Sequence, residues 1–201
     1  INPDYVVIAS SSSLHREQLA FLDKNLNGRT ILVEKPLFDN YYDLNAKNNR
    51  VFVGYNLRFH PLIQKVREII SGRQLWNIQA FCGSYLPDWR PDRDYRETSS
   101  AKKDAGGGVL LDHSHELDYI QWLVGPIHVE YVVNQKISNL RINTDDILLL
   151  SGKSDDGARI HVSLNYFTRK PIRQLLIDGE EVSIQADLIK NTLSVVVERE
   201  V

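Results

Sequence analysis

The chain has 201 residues, 42% hydrophobic and 25% charged, with a net charge of −2. The apolar content is ample for a core and the length suits one large domain or two small ones, while so small a charge excludes a polyanion-gripping surface, so no nucleic-acid partner is expected. The longest apolar runs, Val6-Val7-Ile8-Ala9 and Ile147-Leu148-Leu149-Leu150, are strand-sized and exclude a membrane span.

In chain order, Asp4 to Ala9 is short, apolar and β-branched, which predicts a buried strand. A serine run, Ser10 to Ser13, follows as a loop. Leu14 to Leu22 has helical spacing, with Leu14, Gln18, Phe21 and Leu22 on one side and Ser11, Ser12 or Ser13 placed to cap it. Asn27-Gly28 ends that helix and Thr30 to Val33 gives a second strand, so the segment reads as a βαβ unit with a parallel sheet. A third strand is expected at Val51 to Tyr55. A helix from Pro61 to Ile70 has Pro at its start and Gly72 at its end.

From Leu75 the texture changes. Leu75 to Tyr85 predicts a long strand, Leu86 to Ala105 a polar loop, and Leu110 to Trp122 a helix introduced by Gly106-Gly107-Gly108. Strands are then expected at Ile127 to Lys136, Asp146 to Gly152, Arg159 to Tyr166, Ile172 to Ile177, Val182 to Ala186 and Thr192 to Val197, separated by turns such as Asp156-Gly157 and Asp178-Gly179. The fold class is α/β: part of a Rossmann-type parallel sheet in residues 1–60, then an α+β domain with a large open, mainly antiparallel or mixed sheet in residues 61–201. The transition falls between residues 59 and 73.

Chemistry concentrates in four segments. Glu34-Lys35-Pro36 follows a strand of a parallel sheet, where ligands bind, and puts an amine within reach of one. Alone, the lysine reads equally as a surface residue in a turn. Gly54 to Pro61 offers the amide of Asn56 and the guanidinium of Arg58 at another strand end, suited to a carboxamide, a phosphate or hydroxyls. In Gly106 to Asp118, Asp112 and His115 stand at i,i+3 and so share a helical face, as do His115 and Asp118. A carboxylate beside an imidazole suits a general base. The loop holding Trp89, Arg90, Arg93 and Arg96 reads as a solvated, salt-bridged segment or as a sugar-stacking, anion-reading wall. No metal is expected: His113 and His115 point apart on one helix, and neither a Cys pair nor HExxH spacing accompanies them and Cys82.

Together these segments resemble the Gfo/Idh/MocA oxidoreductases. The resemblance runs through Val6-Val7-Ile8-Ala9 with His15 downstream, Val33-Glu34-Lys35-Pro36-Leu37, Gly54-Tyr55-Asn56-Leu57-Arg58-Phe59-His60-Pro61, and Gly106-Gly107-Gly108 through Asp112, His115 and Asp118 to Trp122. It implies a Rossmann domain followed by an α/β domain whose open sheet joins copies into a homodimer or homotetramer. It implies NAD or NADP as cofactor and hydride transfer at a carbinol of a sugar or sugar acid. Lys35, Asp112 and His115 take the catalytic positions. Ser10, Ser11, Ser12, His15, Glu34, Lys35, Asn56 and Arg58 take cofactor positions, and Trp89, Arg90, Arg93 and Arg96 face the substrate. The loop from Asp88 to Arg96 with Ser99-Ser100-Ala101 is similar to members of bacterial surface-sugar and nonulosonic-acid metabolism. An NAD-using glycoside hydrolase and a non-catalytic dinucleotide sensor are the alternatives the same family offers.

The pattern departs from the family in two places. No GxGxxG occurs, so the strand, glycine turn and helix that grip the pyrophosphate are expected before Ile1, and the family's last helix after Val201. Absence of any Met fits a fragment, or methionines left unwritten. The second departure is the spacing from Asp112 to His115, three residues where four is common. One cysteine and a polar start without a signal peptide point to the cytoplasm.

Overall fold

A computed structural model describes residues 3–197 of the chain. Three parallel strands open the fold: β1 (Tyr5–Ile8), β2 (Thr30–Val33) and β3 (Arg50–Val53), with helix α1 (Ser12–Asn25) connecting the first two. The strands run in register, Ile8 opposite Val33 and Val33 opposite Val53. The loops that follow them, at Ser10, Lys35 and Tyr55, therefore leave from one edge. Ile8, Leu19, Ile31 and Val33 make a small core under α1.

The buried face of α1 differs from the expected stripe. His15 and Leu19 turn inward, whereas Leu14 and Phe21 are exposed. Leu14, Phe21 and Val7 instead line an open cleft beside the outer edge of β1, an edge unpaired among the described residues. Ser11 occupies the N-cap but makes no side-chain cap bond, since its hydroxyl donates to the Ala105 carbonyl across the molecule.

The larger sheet has seven strands: β4 (Leu75–Gly83), β5 (Ile127–Gln135), β6 (Ile147–Ser154), β7 (Arg159–Asn165), β8 (Ile172–Gly179), β9 (Val182–Asp187) and β10 (Thr192–Val197). Their order is β10-β9-β8-β4-β7-β6-β5, antiparallel except for the parallel pair β4–β7, so the sheet is mixed. Helices α2 (Pro61–Ile70) and α4 (His115–Val124) cover one face, with Ile63, Val66, Tyr119 and Ile120 packed against Ile78, Val162, Leu164 and Leu175. Strand alternation fixes this, because one residue in two must face the helices.

Two expectations change. The polar loop before the glycines carries four short 3-10 turns, the last at Lys103–Ala105. The helix expected from Leu110 to Trp122 is two helices, α3 (Val109–Asp112) and α4, broken at His113 and Ser114. The Ser114 hydroxyl donates to the Leu111 carbonyl at 2.9 Å, the local competition with helical bonding that serine offers. Asp112 and His115 thus belong to different helices, and no shared helical face brings them together.

Candidate active site

Lys35 leaves β2 and crosses to the second half of the fold. Its Nζ donates to the Asp112 main-chain carbonyl at 2.7 Å. Burial holds this amine below the ordinary lysine range, opposed by the charge of Asp112 and reinforced by that of Arg173. Asp112 ends α3, and its carboxylate accepts from the Tyr166 hydroxyl at 2.5 Å. Burial, then the charge of Asp112, pushes the Tyr166 phenol up, so it remains a donor at neutral pH.

His115 opens α4 next to these groups. Its ring lies edge-on to Tyr55, centroids 5.6 Å apart, and its buried Nδ1 has no hydrogen-bond partner. Burial, then the charges of Lys35 and Arg173, lowers it to about 4. The imidazole is therefore neutral at physiological pH, the state a proton acceptor needs. Asp112 bonds to Tyr166, the His115 Nδ1 is unpartnered, and aromatic packing against Tyr55 holds the ring. The Tyr55 hydroxyl donates in turn to Ser114 Oγ at 3.3 Å.

His113 faces the other way, into Trp89 and Tyr166, with centroids at 5.3 and 5.8 Å. Burial takes it down to about 3. Trp89, anchored by its indole N–H on Ser84 Oγ at 2.8 Å, also meets Tyr166 edge-on. Of the four residues expected to face substrate, Trp89 alone reaches this cluster. Arg90 and Arg93 line a separate cleft of ≈ 780 Å³ with Asp92, Asp94 and Glu97. Arg96 is held by Asp94, whose carboxyl its guanidinium pulls down to about 2.

The glycines explain how the two halves meet. Gly106 has φ +75°, and a Cβ there would lie 2.9 Å from the Ser12 side chain and 3.0 Å from that of Asp39. At Gly107 a Cβ would lie 2.1 Å from the Ser99 carbonyl oxygen, which no side chain tolerates. Ser12 is thus a packing contact of the glycine segment, and Ser11 a hydrogen-bond donor to it.

The remaining expected cofactor residues divide by exposure. Ser10, Glu34 and Asn56 are exposed at the ends of the three parallel strands. Arg58 is committed to Asp118, its Nε and Nη2 reaching the two carboxylate oxygens at 2.8 and 2.5 Å. His15 is buried, its ring nitrogens facing the carbonyls of Pro36 and Ser10. Both nitrogens thus face main-chain carbonyls of the loops that leave β1 and β2.

Beneath the site lies a buried ion pair invisible to sequence reading. Glu116, 0% exposed, accepts from Arg173 Nε at 2.7 Å and Nη2 at 3.1 Å. Cys82, across from Arg173 on β4, has its thiol pushed up to about 12 by burial and then by the Glu116 charge. Tyr166 and Arg173 carried no sequence signal, because each joins the site only through tertiary register. Among the described residues, no helix is long and apolar enough to cross a membrane, and no group of three or more side chains is arranged to hold a metal.

The family model described as GFO/IDH/MocA C-terminal domain matches residues 63–185. A 2,7-anhydro-N-acetylneuraminate hydratase of Escherichia coli is 25% identical over 198 residues, covering 92% of this chain and 52% of that protein. Among solved structures, the WlbA dehydrogenase of Bordetella pertussis, in complex with NADH and UDP-GlcNAcA, superposes with a TM-score of 0.85 at 22% identity, covering 100% of this chain and 60% of that one. A levoglucosan dehydrogenase in complex with NADH and levoglucosan gives 0.79 at 23% identity, covering 96% and 57%. The chain spans between 34% and 52% of the curated relatives it matches.

Proposed function

The chain belongs to the Gfo/Idh/MocA family, and from that premise we propose that it is the larger part of a nicotinamide-dependent oxidoreductase acting on a carbinol of a sugar or sugar acid. The observation that carries the reading is the meeting of Lys35, from the turn after β2, with Asp112 and its neighbour His115, from helices α3 and α4 of the other half. An amine, a carboxylate and a neutral imidazole together suit removal of a hydroxyl proton while a hydride leaves the same carbon. The dehydrogenases similar in fold, with NADH and sugar ligands in their crystals, support it.

The residues present fit the nicotinamide end of a dinucleotide. Ser10, Glu34 and Asn56 are exposed at the carboxyl ends of parallel strands, the edge where such folds take ligands. When bound, NAD or NADP supplies the hydride acceptor. His115 takes the hydroxyl proton. Lys35 hydrogen-bonds the same oxygen and stabilises its developing negative charge. Asp112, its side chain held by Tyr166, stands beside the lysine. Trp89 forms the apolar wall, whereas Arg90 and Arg93 stand in the separate cleft, balanced by Asp92, Asp94 and Glu97, and Arg96 is paired with Asp94. Residues 1–60 contribute to the dinucleotide-binding domain and 61–201 form the substrate domain. Copies associate through the outer face of the mixed sheet, where Val133, Leu149 and Phe81 stand in one cross-strand row.

The test is NADH absorbance with a panel of sugar acids, including UDP-GlcNAcA and 2,7-anhydro-N-acetylneuraminate. Lys35→Ala and His115→Ala should each reduce turnover by about 100-fold or more. Full turnover in Lys35→Ala removes the lysine from this scheme. The hydratase relative favours a second reading, in which a sugar is oxidised transiently and reduced again. Product formation without net change in NADH distinguishes it.

A further inference from the structure

His15 sits in the first turn of α1 and is 1% exposed. Its Nδ1 lies 3.0 Å from the Pro36 carbonyl oxygen and its Nε2 3.2 Å from the Ser10 carbonyl oxygen. An imidazole tautomer has one N–H, and the shorter contact places it on Nδ1, donating to Pro36, so the ring acts as a strut that ties the turn leaving β2 to α1 while Nε2 only faces the loop leaving β1. Pro36 directly follows Lys35, so one end of the strut is a single peptide from the lysine.

The turn has few other polar ties. Among the described residues, the hydrogen bonds of residues 35 to 39 are the one between Pro36 and His15 and the one from Lys35 to Asp112. Leu37 and Phe38 pack on the small core, but apolar contacts are non-directional and do not fix where a main chain points. The Pro36 bond supplies the direction.

We infer that His15 is a positioning residue for Lys35: through Nδ1 and the Pro36 carbonyl it sets the lysine turn so that the amine meets Asp112. This rests on the role of Lys35 argued under Proposed function. Burial beside the Ser10 carbonyl seats the ring, and the Nδ1–H bond to Pro36 transmits the position. Asp112, Glu116 and Glu34 face the amine as acids and Arg173 as a base, and this balance changes when the turn relaxes.

Two substitutions separate the two contacts. His15→Asn keeps an amide donor near Nδ1, and His15→Gln reaches the place of Nε2. The readout is the apparent pKa of Lys35, from competitive acetylation with trace acetic anhydride and mass spectrometry of the Lys35 peptide. It requires no substrate. In the wild type and His15→Asn it should stay below that of an exposed lysine. In His15→Gln it should rise toward the free value, because a released amine regains water. Turnover should follow, about 10-fold lower in His15→Gln than in His15→Asn, with NADH affinity changed little in either.

Equal Lys35 pKa values in the two variants, with equal losses of thermal stability, would make His15 a structural residue only and overturn the inference. A large loss of NADH affinity with Lys35 unchanged would return His15 to the cofactor contacts and overturn it equally. Lys35→Ala is the separate control. If it keeps full turnover, the catalytic reading fails even where acetylation shows His15 setting the lysine.

Discussion

Tyr166→Phe removes one oxygen and leaves the ring against Trp89 and His113. The lost bond to Asp112 at 2.5 Å should cost about 1–2 kcal/mol of stability. With Asp112 free to rotate, kcat should fall about 10-fold while KM moves less; steady-state kinetics beside a denaturant titration would separate the two. A variant as active as the wild type would remove Tyr166 from the site. The histidines give pH predictions. His113 and His115 are held at about 3 and about 4, below the unfolded value of about 6.5. Between those limits the unfolded chain binds protons that the folded one does not, so stability falls as pH drops from about 6.5 toward 4. His113→Phe should flatten part of that slope, measured as melting temperature against pH. In the oxidation direction, the acid limb set by His115 should lie near 4 and not near 6.5. Local pattern put Lys35 and Asn56 at strand ends, where the structure has them, whereas the shared helical face read for Asp112 and His115 assumed one continuous helix. Tyr166 and Arg173 were not legible, since a strand residue gives no sign of which loop will pack over it.

α4 stays on the sheet partly through Glu116 and Arg173, one from the helix and one from β8. Glu116→Ala leaves Arg173 with an uncompensated charge in an apolar surround and should cost about 3–5 kcal/mol. Glu116→Leu with Arg173→Met should recover most of that stability in thermal melts. If the single variant melts within a degree or two of wild type, the pair does not anchor the helix. Gly107→Ala acts between elements, driving a methyl into the Ser99 carbonyl. It should destabilise the chain by about 1–3 kcal/mol and displace the turns that carry Ser11's acceptor, Ala105. Most elements could be read from periodicity, and α2 spans the expected Pro61 to Ile70. The break between α3 and α4 was hidden, because Leu110 to Trp122 reads as continuous helix until Ser114 turns its hydroxyl on Leu111. The α1 stripe misled for a related reason: Leu14 and Phe21 are apolar, yet they face the open edge of β1 and not the small core.

Across the whole molecule, the parallel strands present their carboxyl ends to the glycine segment of the other half. Lys35 and Ser11 each make a hydrogen bond across that junction. The change from short parallel strands to a long run of strands made the α/β class and the mixed sheet legible, whereas the parallel pairing of β4 with β7 depends on register beyond local pattern. In the proposed reaction a hydride passes from a sugar carbinol carbon to a nicotinamide at the Lys35–Asp112–His115 cluster. Isotope transfer tests it: the intact protein incubated with NAD and with sugar acids deuterated at their carbinol carbons, quenched within a single turnover, and the nicotinamide ring then read by mass spectrometry. Deuterium should appear on the ring in the wild type and about 100-fold more slowly in Lys35→Ala. Sugar converted to product with no deuterium reaching the ring, or equal transfer in Lys35→Ala, would contradict it.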